Sequence, residues 1–231
     1  MSTHDETRAV VERYARRSVG DRYHPLQPDV LCARQERQRA LVALLRRHAP
    51  APVAQLDVLE VGCGAGDNLL ELATLGFDPA RLVGNELLPE RVAVARARLP
   101  SATALHAGDA LMLPLPPASF DIVLQYTVFS SLLDDVFQQR LADRMWQGLR
   151  PGGAVLWYDF GWDNPRNPDV RGVPLARVRQ LFPAGRLHVR RVTLAPPLGR
   201  PAARLHPRLW GLLNSLPWLR THHLIWIEKT R

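Results

Sequence analysis

The sequence predicts an α/β domain, a mostly parallel sheet wrapped by helices on both faces, and three observations carry that expectation. From residue 53 onward, short apolar runs alternate with segments of helical periodicity. One run, Val58–Val61, enters three alternately spaced glycines and leaves as an amphipathic segment. The chain has 231 residues, 46% of them hydrophobic, enough for one packed core with a small appendage.

The stretch from Val58 to Leu72 reads as strand, tight turn and helix. Gly62, Gly64 and Gly66 let the backbone turn sharply and approach a ligand without a Cβ in the way. Asp67 or Asn68 is the candidate cap of the next helix, in which Leu69, Leu70, Leu72 and Ala73 recur at helical spacing until Gly76. A dinucleotide fingerprint needs a glycine in its sixth place, but counting from Gly62 that place is Asp67, and from Gly64 it is Leu69. Glu60 precedes the first glycine by two residues, where a carboxylate would repel a pyrophosphate and accept from an ammonium group. The pattern acid-x-Gly-x-Gly-x-Gly resembles the first motif of the class I S-adenosylmethionine-dependent methyltransferases. A glycine-rich turn in another α/β protein is the competing reading.

The resemblance extends along the chain. Arg81 to Glu86 is a short apolar strand ending in an acid 24 residues beyond Gly62. A carboxylate there can accept from both hydroxyls of a ribose, so Glu86, with Leu87 beside it, is the expected ribose site. Residues 103–106 read as a third strand, followed by Asp109 and Ala110. The resemblance implies that Asp109 accepts from the adenine amino group and that the Ala110 backbone meets a ring nitrogen; a turn-forming aspartate is the alternative. The run Phe120-Asp121-Ile122-Val123-Leu124 resembles the family's fourth strand. The residues after it lie at the edge where open α/β sheets bind ligands, so Gln125 and Tyr126 are expected at the cofactor and Phe129 at the acceptor. Leu149-Arg150-Pro151-Gly152-Gly153 ends a helix and reverses into a fifth strand over 154–159. Together these stretches imply a seven-stranded Rossmann-like sheet in the order 3-2-1-4-5-7-6, with the last strand antiparallel. They also imply S-adenosylmethionine as cofactor, with Glu60, Gly62, Cys63, Gly64 and Gly66 cradling it.

Residues 1–52 form the expected helical cap, with helices over 7–17 and 29–48, and residues 53–231 the cofactor-binding domain. In the family such an extension covers the cofactor, which makes Tyr14 and Tyr23 candidates for the acceptor pocket; packing of the cap on the core would equally explain them. The polar loop leaving the fifth strand offers Asp159 as a base and Arg171 as an anion holder, and His24 and His106 are further candidates for the base. Residues 175–182 read as a last helix, 188–194 and 224–229 as the final strands. The adjacent His222 and His223 point to opposite faces of that last strand, so no metal pair forms, and no zinc spacing stands elsewhere.

The net charge is +8, but the basic residues are spread along the chain and nearly all are arginine, Lys229 being the single lysine. That argues against a nucleic-acid patch. A small-molecule or lipid-linked glycan acceptor fits better, as the chain is similar to bacterial methyltransferases of glycan or lipid-linked sugar assembly. Two cysteines, one inside the glycine turn, suggest a reduced, cytoplasmic protein. The polar start is unlike a signal peptide, and no apolar run approaches the ~20 residues that span a bilayer. Residues 205–220, apolar with flanking arginines, contact a membrane surface, close over an apolar acceptor or pack on their own domain, the last being the favoured reading. A nicotinamide-dependent oxidoreductase and an inert S-adenosylmethionine-binding protein remain the alternative functions.

Overall fold

In a computed structural model of the chain, residues 3–16, 23–165 and 167–230 are described. Seven strands form one sheet: β1 (Val58–Val61), β2 (Leu82–Glu86), β3 (Ala104–Ala107), β4 (Phe120–Tyr126), β5 (Leu149–Phe160), β6 (Gly185–Leu194) and β7 (Arg220–Lys229). Their order is β3-β2-β1-β4-β5-β7-β6, as expected. The first five run parallel and β7 runs antiparallel to both β5 and β6. The helices are α1 (Thr3–Arg16), α2 (Pro28–His48), α3 (Asp67–Thr74), α4 (Pro89–Arg98), α5 (Asp135–Gly148), α6 (Leu175–Leu181), α7 (Pro196–Leu205) and α8 (Pro207–Asn214). Arg17, expected to close the first helix, lies outside the described residues.

Successive side chains of a strand point to opposite faces, and the two cores of the domain follow that alternation. Val58, Ile122, Leu124, Leu156, Leu224 and Trp226 pack with Leu41, Leu44 and Leu45 of α2 and with Leu69 and Leu72 of α3. Leu59, Val61, Val123, Val155, Trp157, Ile225 and Ile227 pack on the other face with Val10 of α1, Leu141 and Met145 of α5 and Val178 of α6. The chain leaves β1 toward β2 on one side and returns to β4 on the other. This opens a crevice at the carboxyl ends of these strands, the topological position for a ligand.

Several strands are longer than their sequence signal. β5 starts at Leu149, because Leu149 already pairs with Phe120 before a register shift. β7 starts at Arg220, and its first turn is held by Phe160↔His222 and Leu194↔Arg220 pairs. Residues 196–220 fold as α7, α8 and the 3-10 turn Pro217–Leu219, with Ala202, Ala203 and Trp210 packed against Leu194. At the end of the sheet away from the crevice, Arg150 bridges Asp57 and Asp121 at 2.8 and 2.7 Å, which makes Asp121 a structural residue.

Gly62 has φ +69°, and a Cβ there would stand 2.5 Å from Cγ2 of the stiff Val128 side chain. Gly62→Ala is expected to lower stability by about 1–3 kcal/mol, the scale of a side chain forced into left-handed backbone. Urea unfolding checks this, and an unchanged midpoint contradicts it.

Candidate active site

A cavity of about 750 Å³ occupies the crevice. One end is built by the turn after β1. Gly62, Gly64 and Gly66 all have positive φ, and the turn is tied to β2 by Cys63 N–H donating to the Asn85 carbonyl at 2.8 Å. Glu86 locks the same turn from the tip of β2. One carboxylate oxygen accepts from Gly64 N–H at 2.8 Å, the other from Leu88 N–H at 2.9 Å, joining the turn to the start of α4. Gly66 stands behind the cavity, where a Cβ would meet Leu99 at 2.9 Å. Burial pushes the Cys63 thiol far above its usual range, so it stays protonated and unreactive.

Helix α3 starts at Gly66 without a side-chain cap, contrary to the expected role of Asp67 or Asn68. Asp67 turns outward to Arg98 at 2.6 Å, and Asn68 donates to Glu60 at 2.6 Å. Glu60 is fully buried beneath the turn rather than in the cavity wall. Burial raises its pKa to about 8 against the opposing effects of Asn68 and Arg37, and its second oxygen has no partner among the described residues. Above it lies Arg37 of α2, its guanidinium 5.0 and 5.2 Å from the ring centres of Tyr126 and Tyr158. Arg37 is only 3.5 Å from Asn68 Oδ1 and Glu71 Oε2, and its Nε has no partner among the described residues.

Helix α1 closes the cavity from above. Arg13 and Glu6 form a buried pair at 2.6 Å; Arg13 also donates to the Ser131 carbonyl and Glu6 accepts from Leu133 N–H. Thr7 then donates to Asp109 at 2.7 Å, while the other oxygen of Asp109 accepts from Leu111 N–H at 2.9 Å. Arg91 lies over the Tyr14 ring at 4.6 Å. Tyr14, Tyr23, Leu87, Asp109 and Ala110 all line the cavity, together with Gly62, Cys63, Gly64 and Glu86.

The far end is aromatic. Tyr126, Tyr158, His222 and Trp210 line it with Thr127 and Thr193. The His222 ring stacks on Tyr158 with centres 5.0 Å apart, and the Tyr158 hydroxyl lies 2.9 Å from Thr193 Oγ1. Burial, then the neighbouring His223 and Arg37, push the pKa of His222 down to about 3, so the imidazole is neutral. Thr221 lies 3.0 Å from His222 Nδ1 and donates its hydroxyl proton to the Thr193 carbonyl at 3.4 Å. With the Thr221 proton on the Thr193 carbonyl, the compatible tautomer of His222 carries its proton on Nδ1.

Eight expected site residues lie outside the cavity wall: Glu60 and Gly66, already described, and six more. Gln125 and Asp159 stand one residue from Tyr126 and Tyr158 on their strands and so face the opposite side of the sheet. Gln125 accepts from Val128 N–H at 2.9 Å; Asp159 accepts from Ser130 and Phe160 N–H at 3.0 Å each, with burial raising its pKa to about 7. Both hold the loop after β4 in place. Phe129 is core, 4.6 Å from Trp157. Arg171 is ion-paired with Asp135 at the surface. His24 is exposed, its Nδ1 accepting from Leu26 N–H at 3.2 Å, and His106 is exposed on the edge strand β3. Asp159, His24 and His106 are therefore corrected as candidate bases. Arg37 and His222 are the residues that sequence reasoning missed: nothing distinguishes Arg37 from the other arginines of α2, and His222 was weighed only as half of a metal pair. Among the described residues no cluster of His, Cys, Asp and Glu could hold a metal ion.

The fold and the cavity define a Rossmann-like nucleotide-binding domain. Residues 58–153 match a family model described as a methyltransferase domain. The demethylmenaquinone methyltransferase of Deinococcus radiodurans is 34% identical over 161 residues, 68% of this chain and 62% of that protein. The chain thus spans less than two thirds of that relative's length. A Thermotoga maritima S-adenosylmethionine-dependent methyltransferase superposes with a TM-score of 0.62 at 17% identity, over 99% of this chain and 100% of that one. Phosphoethanolamine N-methyltransferase 2 of Haemonchus contortus, in complex with S-adenosyl-L-methionine, gives 0.61 at 18% identity, over 84% of this chain and 53% of that one. These structural likenesses speak to the fold. Residues 58–153, the stretch that the family model matches, thus form a methyltransferase domain of Rossmann-like fold.

Glu60 and Asp159 keep their protons in the folded chain well above the ordinary values of 4.5 and 3.8. Between those values and about 8 and about 7 the folded state binds more protons than the unfolded one. Stability of the unliganded protein should therefore fall as pH rises through this window. Denaturant titrations across it should show that decline, and Glu60→Gln should flatten it; an unchanged slope in the variant contradicts the burial argument.

Proposed function

We propose that the protein transfers the methyl group of S-adenosylmethionine to a hydroxyl oxygen of a small or lipid-linked acceptor, in the reducing cytoplasm where Cys32 and Cys63 remain thiols. The observation that carries this reading is the two-ended cavity, with a glycine turn and two carboxylates at one end and a neutral histidine among aromatic rings at the other.

The residues present fit the cofactor. Glu86 uses one lone-pair site of each oxygen on the backbone and keeps others for a ribose diol. Asp109, which lines the cavity, is our candidate for the adenine amino group. Arg37, held only loosely by Glu71 at 3.5 Å and with its Nε unpartnered among the described residues, suits the carboxylate of the methionine end, and the orphan oxygen of Glu60 beneath it suits an ammonium environment. The sulfonium supplies a methyl group already activated for transfer, so the chain's task is to align the acceptor and exclude water. α1 covers one side, Tyr126 and Tyr158 wall the other, and the neutral His222 imidazole is a hydrogen-bond partner that can orient the acceptor hydroxyl. The glycine spacing and the matched domain disfavour a nicotinamide oxidoreductase. An open aromatic end beside the cofactor end disfavours an inert binder.

Incubating the protein with radiolabelled donor and fractionated extract, then identifying the labelled product, tests this. Label on the oxygen of a small or lipid molecule is expected; label on nucleic acid or on nitrogen alone contradicts it. Glu86→Ala should weaken donor binding by about 1–3 kcal/mol, the scale of a lost hydrogen bond to a charged group. His222→Phe should leave donor binding intact and slow transfer by roughly 10²-fold, the scale of a misplaced acceptor. Unchanged transfer in that variant removes His222 from the mechanism.

A further inference from the structure

The α7–α8 hairpin has two unlike sides. Its inner side is part of the domain: Gly199 of α7 and Trp210 of α8 line the acceptor end of the cavity. Its outer side is apolar and exposed, with Leu205 76%, Leu212 67% and Trp218 70% accessible. Three large apolar side chains this exposed within one short stretch, interspersed with arginines, suit an apolar occupant rather than water. Between them stand Arg204 and Arg208, both exposed, with no carboxylate partner among the described residues. The span 196–220 contains four arginines and no aspartate or glutamate. No helix among the described residues is long and apolar enough to cross a membrane, so this surface can lie on a bilayer but not span it.

We propose that the outer side of this hairpin docks the protein on an anionic lipid surface. Leucine and tryptophan side chains enter the boundary between headgroups and acyl chains, while the two free guanidiniums meet lipid phosphates. Spacing supports this assignment. The cavity and the lipid then lie on opposite sides of one helix layer, about 10 Å thick, so a lipophilic acceptor has a short path from the membrane to Tyr158 and His222. The docking itself rests on the exposed apolar residues and the two arginines; only the path for an acceptor rests on the proposed function.

Co-sedimentation of the purified full-length protein with vesicles tests it. Binding is expected on phosphatidylcholine vesicles containing about 30% phosphatidylglycerol and not on phosphatidylcholine alone, because basic residues act on the anionic surface potential. The double variant Arg204→Glu/Arg208→Glu, with its fold checked by circular dichroism, should bind at least about tenfold more weakly. Arg96→Glu, an exposed reversal on α4, should bind as the wild type does. Quenching of tryptophan fluorescence by brominated lipid should be lost in Trp218→Phe. The proposal is overturned by absence of binding to anionic vesicles, by equal loss in Arg96→Glu, or by quenching that survives in Trp218→Phe. It is likewise overturned if the two reversals abolish binding of a short RNA while vesicles are never bound.

Discussion

A single carboxylate organises the ligand edge of the sheet. Glu86 accepts from Gly64 N–H on one oxygen and from Leu88 N–H on the other, so the turn after β1 and the start of α4 are positioned by one buried side chain. The three positive-φ glycines make the turn tight enough to reach that carboxylate. If it were loosened, the cavity would lose its floor, the alignment of Asp109 opposite it and the close packing of Gly62 against Val128. The oxygens that hold the backbone are also those facing the cavity, which couples the order of the turn to what binds there.

The cover over this floor is built from the first two helices, each on its own face of the sheet. α1 is fixed by the buried Glu6–Arg13 pair, which also satisfies backbone groups of the loop after β4. Removing one member of such a pair strands a buried charge, so the pair fixes where α1 sits more than it adds to stability. α2 instead inserts Arg37 between two tyrosines and binds the β6 backbone through Glu36, which accepts from Thr193 N–H at 2.7 Å. Both helices thus contribute to the wall of the one cavity, from opposite faces of the sheet.

Much of the fold was legible in the sequence because its signals are local. The apolar runs, the glycine turn, the Pro-Gly-Gly reversal before β5 and the acid closing β2 each act through neighbours a few residues away. The acceptor end was much less legible. Gln125, Tyr126 and Asp159 are expected there because they stand at the tips of β4 and β5, yet of the three only Tyr126 lines the cavity, joined by Tyr158 and His222. A strand covered on both faces shows alternation without showing which parity meets which helix. That choice is made by long-range packing against α2 and α7. Arg37 is illegible for the same reason, being one of many arginines on a helix whose orientation is set by Leu41, Leu44 and Leu45.

One pocket serving a nucleoside with an amino-acid tail is the central claim, and titration calorimetry of the intact protein with S-adenosylmethionine, its demethylated product and NAD tests it most directly. The account predicts one site per chain for the first two ligands, weakened in Glu86→Ala and in Arg37→Met, and no heat from NAD. Binding of NAD with none of S-adenosylmethionine, or donor affinity untouched by both substitutions, would contradict it.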